Sequence, residues 1–168
     1  MKTKGLIICA LFAAIIAISA PLCIPVGTVP VTLALFSIAL TAFFSGSKNA
    51  VISTAIYIAV GLSGLPVFSG FQGGVSAAVS PTGGFILSYV FVAAILGKAA
   101  KTKKKSRIVF LCAVALAICY VCGACWYMLV TKAGIVTAMS VCVLPFVLFD
   151  VIKLYMAYIV AQAIKKRV

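Results

Sequence analysis

The segment TAMSVCVLPFVLFDVIKLYMAYIVAQAIKKRV occupies residues 137–168. Between positions 137 and 164 its only charged side chains are Asp150 and Lys153, and three basic residues follow at 165–167. An apolar run of about 20 residues is long enough to cross a hydrocarbon core of about 30 Å as a helix. Lys and Arg directly after such a run are typical of the cytoplasmic side of a membrane. The segment therefore predicts a transmembrane helix that ends in the cytoplasm.

The rest of the chain has the same apolar character. Hydrophobic residues make up 65% of the sequence, its mean hydropathy is +1.33 and only 9% of its residues are charged, whereas a soluble domain has about 25% charged residues. These values exclude a soluble protein. Apolar runs at 5–24, 31–44, 50–62, 85–99, 108–130 and 137–164 predict an all-α integral membrane protein, a bundle of six transmembrane helices in one domain, 1–168.

The basic residues indicate how this bundle is oriented. With both termini placed in the cytoplasm, 12 bases lie on the cytoplasmic side (the N-terminus, Lys48, the run after the fourth span and the C-terminus), whereas Lys132 is alone on the outer side. Such an asymmetry favours a multi-pass protein with both termini cytoplasmic. Bases spread over several membrane boundaries form no continuous stripe for a nucleic acid. We therefore expect membrane lipid, and no nucleic acid, among the partners.

Asp150 is the only acidic residue of the chain, and it falls midway along the last predicted span. A charged residue at the centre of a membrane helix costs about 2.5–3.5 kcal/mol on insertion scales, so it is a functional hypothesis by default. Lys153 follows at i+3, on the same helical face, where the two side chains can pair. The pair predicts a site for a polar ligand. The alternative is a self-neutralising pair that only holds helices together.

Two further patterns add to this hypothesis. The stretch 61–84 is rich in Gly and Pro and lies on the outer side of the predicted topology. Irregular backbone at membrane depth is tolerated where it lines a cavity, so this stretch either caps a pocket from outside or is an ordinary flexible loop. In the first helix, Ala10 with Ala14 and Ala13 with Ala17 repeat small residues at i, i+4. That spacing allows close helix packing, with a partner protein or with neighbours in the same chain.

Several functional classes lack their motifs. The sequence has no phosphate-binding P-loop, no histidine, and no second carboxylate for acid–base chemistry. The spacing of Cys119, Cys122 and Cys125 resembles a metal-binding array, but it has no histidine or nearby carboxylate to complete it. We therefore expect neither an enzyme, a metal site nor an independent ATP-driven pump. A small binding protein, working as an oligomer or with energy-supplying partners, remains.

Several segments together are typical of one known family: PVTL at 30–33, GLSGLPVF at 61–68, GG at 73–74, SPTGGF at 80–85, and PF at 145–146 followed by Asp150 and Lys153. In these segments the sequence resembles the BioY family, the biotin-specific substrate-binding (S) components of energy-coupling factor (ECF) transporters. The resemblance covers nearly the whole chain. The family commonly has Gly where this chain has Ser80.

The resemblance implies a six-helix S component in the bacterial cytoplasmic membrane that binds biotin near the outer surface, without a cofactor. It implies docking on a transmembrane coupling subunit that carries two cytoplasmic ATPase subunits, through Ala10, Ala14 and also Ala13 and Ala17. The family's polar pocket residues map onto Asp150, which would accept from the ureido N–H groups, and Lys153, which would donate to a ligand oxygen. Further expected contacts are Phe68, Phe71, Tyr89, Trp126 and Tyr127 as apolar walls, with Gln72, Gly73, Gly74, Ser76 and Thr82 beside them.

Two alternatives share these features. The same architecture can serve a different vitamin, because S components share their helices while their pockets differ. A small membrane scaffold without a transport role would use the Asp150–Lys153 pair only to fix helix register.

Overall fold

The structure, a computed structural model, describes residues 3–25, 29–102 and 104–167. Two bases used to predict the topology, Lys2 and Lys103, lie outside these residues. The helices are α1 (Thr3–Ser19), α2 (Ala34–Ser45), α3 (Ser47–Leu62), α4 (Val75–Val79), α5 (Gly83–Ala99), α6 (Lys105–Thr131), α7 (Ile135–Cys142) and α8 (Leu144–Lys165). A 3₁₀ turn occupies Ser69–Phe71, and the strands β1 (Cys23–Ile24) and β2 (Val31–Thr32) form an antiparallel hairpin.

The protein is mostly helical, as predicted, but its described residues form eight α-helices where six were expected. One extra helix is the short α4, inside the Gly-rich stretch. The other arises because the last predicted span is broken at Val143, between α7 and α8. Pro145 follows two residues after Val143, and a proline has no N–H to donate to the carbonyl four residues back and clashes with it. The break is therefore encoded by one residue within an otherwise continuous apolar run.

The first helix is shorter than predicted. It ends at Ser19, and the apolar residues after it form the β1–β2 hairpin. Pro21 and Pro25 explain the early end, because neither can continue a helical hydrogen-bond ladder. By length and composition, α6 and the segment formed by α7 and α8 (Ile135–Lys165) can each cross a membrane, while α1, α2, α3 and α5 are apolar but shorter.

Helices α2 and α5 form the centre of the bundle. Helix α2 packs against α1, α3, α5 and α8, and α5 packs against α2, α3, α4 and α6. Small residues allow close approaches between these helices: a Cβ on Gly84 of α5 would overlap Trp126 and the carbonyl oxygen of Cys122, both on α6. Gly123 of α6 lies in the same way against the ring of Phe85. Glycines at such positions bring helix backbones close together, as is common in membrane proteins.

One end of the bundle collects the basic residues. Contacts place the start of α3 beside α1 and the last turns of α5, since Cys9 contacts the Asn49 carbonyl and Ser47 donates to the Ala94 carbonyl. The ring of Tyr158, late in α8, packs edge-on against Phe43, late in α2. We call this the basic end. Its described bases are Lys4, Lys48, Lys98, Lys101, Lys104, Lys105, Arg107, Lys165, Lys166 and Arg167.

Candidate ligand-binding site

An internal cavity of about 50 Å³ lies at the end of the bundle opposite the basic end. It is enclosed by the last turn of α1, the β1–β2 hairpin, the 3₁₀ turn, and the facing sides of α2, α3, α5, α6 and α8. Its lining residues are Ala20, Val29, Pro30, Thr32, Ala34, Leu35, Tyr57, Ser69, Thr82, Phe85, Ile86, Tyr89, Cys119, Phe146, Asp150 and Lys153. Most of this surface is apolar, so the few polar groups determine what it can recognise.

The Asp150–Lys153 pair projects from α8 into this cavity. The Lys153 Nζ donates to Asp150 Oδ1 at 3.0 Å, and the two side chains are only 12% and 7% exposed. The i, i+3 spacing places both on one face of the helix, and that face points toward the interior rather than toward lipid. Asp150 and Lys153 are the two charged residues in the lining of the cavity, and their opposite charges neutralise each other.

Tyr120 of α6 completes the environment of the carboxylate. Its hydroxyl donates to Asp150 Oδ2 at 2.9 Å, so both carboxylate oxygens accept a hydrogen bond, one from each neighbour. An ionised carboxylate has about four lone-pair positions, which leaves room for further donors on a ligand. The tyrosine therefore fixes the plane of the carboxylate without saturating it.

Hydroxyl groups supply the remaining polarity of the cavity wall. The Thr82 hydroxyl shares a 2.8 Å hydrogen bond with that of Ser80. The Ser69 Oγ is buried and has no hydrogen-bond partner among the described residues. A buried polar atom without a partner normally costs about 1–3 kcal/mol and calls for an explanation. In a cavity wall, a hydrogen bond to a bound ligand provides one.

Of the predicted contact residues, Asp150, Lys153, Thr82 and Tyr89 line the cavity. Phe68 does not. It is 1% exposed and lies behind Tyr57, with the two rings at 85° and their centroids 5.6 Å apart. At this part of the wall the lining aromatic is Tyr57, and Phe68 packs behind it.

The structure places the other predicted contacts outside the lining. Phe71 is 65% exposed, and Gln72 and Ser76 are also exposed. These three residues lie in the connection between α3 and α5, on its solvent-accessible surface and away from the cavity.

The remaining predicted residues have structural contacts. A Cβ on Gly73 would overlap the Leu65 carbonyl oxygen, and Gly74 has a positive φ of 81° that L side chains rarely adopt. The indole N–H of Trp126 donates to the Ser80 carbonyl at 3.0 Å. Tyr127 is 6% exposed within the core. These residues hold the loop and helices that surround the cavity rather than forming its wall.

The sequence analysis missed Thr32, Tyr57, Ser69 and Tyr120. Tyr57 and Tyr120 carry a polar group within apolar spans, and a phenol at membrane depth usually has a partner. The sequence therefore contained a signal for Tyr57 and Tyr120. Thr32 and Ser69 lie in irregular segments whose path the sequence does not specify.

The alanines of α1 divide between two environments. Ala13 is 5% exposed and packs within the chain, and Ala17 is half-buried against the core. Ala10 and Ala14 are exposed. A docking surface for another protein on this helix is therefore restricted to Ala10 and Ala14 and their exposed neighbours.

Comparisons with known proteins agree on one family. The family model described as "BioY family" matches residues 1–168. The chain is 37% identical to the biotin transporter BioY of Thermotoga maritima, over 97% of this chain and 96% of that protein. It is 32% identical to the probable biotin transporter BioY of Pyrococcus horikoshii, over 98% of both chains.

The fold has a counterpart among solved structures. The crystal structure of the S-component for biotin from an ECF-type ABC transporter matches with a TM-score of 0.88 and 24% sequence identity. The match covers 98% of this chain and 92% of that chain, so the two share one architecture from end to end. With the family model spanning residues 1–168, this chain belongs to the BioY family.

Proposed function

We propose that this chain captures biotin and takes part in its uptake as the S component of an ECF-type ABC transporter. The observation that carries the proposal is the Asp150–Lys153 ion pair, which lies in an internal cavity of an otherwise apolar bundle. The relatives in its family are named as biotin transporters. The role is one of binding and transport, and the chain is not an enzyme.

Biotin matches the two parts of the cavity wall. Its ureido ring offers two N–H donors and a carbonyl acceptor, which suit the carboxylate of Asp150 and the ammonium of Lys153. Its thioether ring and valeryl chain are apolar and suit Phe85, Ile86 and Phe146. The unpartnered hydroxyl of Ser69 provides a further donor to a ligand oxygen.

The wall on the side away from the basic end consists of the β1–β2 hairpin, the 3₁₀ turn and Thr82, which belong to connections rather than to long helices. Biotin therefore enters between connecting segments, on the side away from the basic end.

The proposed topology has six membrane-crossing segments. They are α1, α2, α3, α5, α6 and the α7–α8 segment, with both termini on the cytoplasmic side of the bacterial cytoplasmic membrane. The collection of bases at one end of the bundle supports this orientation. The cavity then opens toward the outside, where the vitamin is scarce and must be captured.

The energy for uptake comes from partners. A transmembrane coupling subunit and two cytoplasmic ATPase subunits bind the S component, and the exposed small residues Ala10 and Ala14 of α1 form the contact with the coupling subunit. Small residues at this spacing let two membrane helices approach closely.

Equilibrium binding of tritiated biotin to the purified, detergent-solubilised protein tests the proposal. We expect tight binding, and a dissociation constant of about 1 mM or weaker would exclude biotin. Competition by other vitamins identifies the ligand if an S component of this fold serves a different one. The Asp150→Asn variant loses the negative charge that pairs with Lys153, so its affinity should fall at least about tenfold.

A double variant distinguishes ligand binding from a scaffold role. Asp150→Leu with Lys153→Met removes both charges together, and replacing a buried ion pair by apolar side chains of similar volume often preserves or raises stability. We expect this variant to stay folded and to lose biotin binding. Normal uptake by the double variant would show that the pair only fixes helix register.

A further inference from the structure

A second concave region lies on the outer surface of the bundle, between α6 and α8. Helix α6 packs on α5, and α8 packs on α2, so toward the basic end the two helices leave a groove of about 580 Å³ between them. Its floor is formed by Ile108, Leu116 and Leu154, each less than 10% exposed. The groove contains no residue of the cavity that holds Asp150.

The length of the groove matches the thickness of one leaflet of a bilayer. On α6 its lining begins at Lys105 and ends at Leu116, which is about 16 Å at the helical rise of 1.5 Å per residue. Half of a hydrocarbon core is about 15 Å thick. The dimension suits a single acyl chain lying along the helices, from the headgroup level to the middle of the membrane.

The charge at the mouth of the groove selects the headgroup. Among the described residues, Lys105 is the single charged residue of the lining, and it lies at the basic end. Lys104, Arg107 and Lys165 are exposed nearby at the adjoining helix ends. No acidic side chain opposes them, because the one acidic side chain of the sequence is paired with Lys153 inside the bundle. Basic pockets between membrane helices favour anionic lipid headgroups.

We propose that the α6–α8 groove is a binding site for an anionic phospholipid, with one acyl chain between the helices and the phosphate at Lys105. The site is separate from the proposed biotin pocket, and it depends on the proposed topology only for the assignment to the cytoplasmic leaflet.

Native mass spectrometry of the detergent-solubilised protein tests the site, after incubation with phosphatidylglycerol or phosphatidylcholine of identical acyl chains. The wild-type protein should retain phosphatidylglycerol preferentially. Lys105→Gln should reduce that preference about fivefold, since one basic residue near a lipid headgroup contributes about 1 kcal/mol. Lys48→Gln, a charge change at the same basic end but outside the groove, should leave the preference unchanged.

A second pair of variants tests the acyl-chain position. Ala113→Trp places a large side chain in the groove and should abolish retention of both lipids, whereas Val121→Trp, on an exposed part of α6 outside the groove, should not. Biotin binding is measured in parallel as an independent readout of folding and should stay at the wild-type level in all four variants. The proposal would be overturned if the wild type retained the two lipids equally or if Ala113→Trp left lipid retention unchanged. It would also be overturned if cross-linking placed a second copy of the protein in the groove.

Discussion

Asp150 accepts one hydrogen bond on each oxygen, from Lys153 on its own helix and from Tyr120 on α6. The carboxylate is therefore held in a fixed orientation before any ligand arrives. Preorganised acceptors bind more tightly than mobile ones, because less ordering occurs on binding. Tyr120 acts through Asp150 and is a positioning residue.

Replacing Tyr120 by Phe should weaken biotin binding roughly tenfold, because it removes a donor to a charged acceptor worth about 1.5–3 kcal/mol. The measurement is the dissociation constant of biotin, with thermal unfolding in detergent as a check on folding. Tyr155→Phe is the matched control: that side chain is 65% exposed and lies outside the cavity. Equal affinities for the two variants would contradict a positioning role.

Ser69→Ala should separate the stability of the empty protein from its affinity. The Ser69 hydroxyl has no partner within the described residues, so its removal should leave the unfolding temperature of the ligand-free protein unchanged or raise it. Biotin affinity should fall about two- to tenfold if the ligand satisfies this group. Ser63→Ala is the control, since the Ser63 hydroxyl donates to the Val60 carbonyl at an exposed position. A fall in stability without a loss of affinity would contradict the assignment.

At the level of single residues, the sequence predicted the ion pair because a charged side chain within an apolar run is conspicuous. It did not separate Tyr89, which lines the cavity, from Tyr127, which is buried in the core. Both follow the same apolar pattern. Which face of a helix meets a cavity depends on packing against other helices, and the nearly uniform hydrophobicity of these spans carries little information about it.

Helices α5 and α6 pack closely, and the glycines of their sequences give a visible reason for it. Gly84→Ala introduces a Cβ that overlaps Trp126 and the backbone of Cys122, so we expect a loss of about 1–3 kcal/mol in the free energy of unfolding. Gly134→Ala is the matched control, because its added Cβ would meet no atom within 4 Å, and it should change stability by about 0.5 kcal/mol or less. The measurement is denaturant or thermal unfolding in detergent. Similar values for both variants would show that the two helices can separate at little cost.

The sequence predicted which segments form long helices, but it predicted less well where each helix begins and ends. The fifth span, predicted at 108–130, matches α6 closely, because Lys104 and Lys105 mark its start and Lys132 its end. The break at Val143 was missed although Pro145 was visible, because prolines are tolerated within membrane helices. The β1–β2 hairpin and α4 depend on contacts with the rest of the bundle, and local sequence did not reveal them.

For the whole molecule, the exposed alanines of α1 lead to a prediction about assembly. Ala14→Trp should abolish biotin uptake in cells that also produce the coupling subunit and ATPases, because a large side chain keeps the partner helix away. Biotin binding to the purified variant should be unchanged, since Ala14 is exposed and outside the cavity. Leu129→Trp, at an exposed position on α6, is the control for an added surface tryptophan. Normal uptake by Ala14→Trp would place the docking surface elsewhere.

The asymmetry of the basic residues was the sequence signal that extended over the entire chain. The structure gathers at one end of the bundle the described bases for which the sequence predicted a cytoplasmic position, and it places the ion pair toward the other end. Sequence alone could not show that α6 and α8 diverge, because that separation follows from their different neighbours, α5 and α2.

The pairing of Asp150 with Lys153 also determines how the pocket responds to voltage. A membrane potential does work of about 2.3 kcal/mol per 100 mV on each elementary charge that crosses it. The two side chains carry opposite charges held 3.0 Å apart, so their sum is zero and the field does no net work on them as they move together. The pair itself therefore adds no voltage dependence to a movement of α8 along the membrane normal, whereas a single buried charge would.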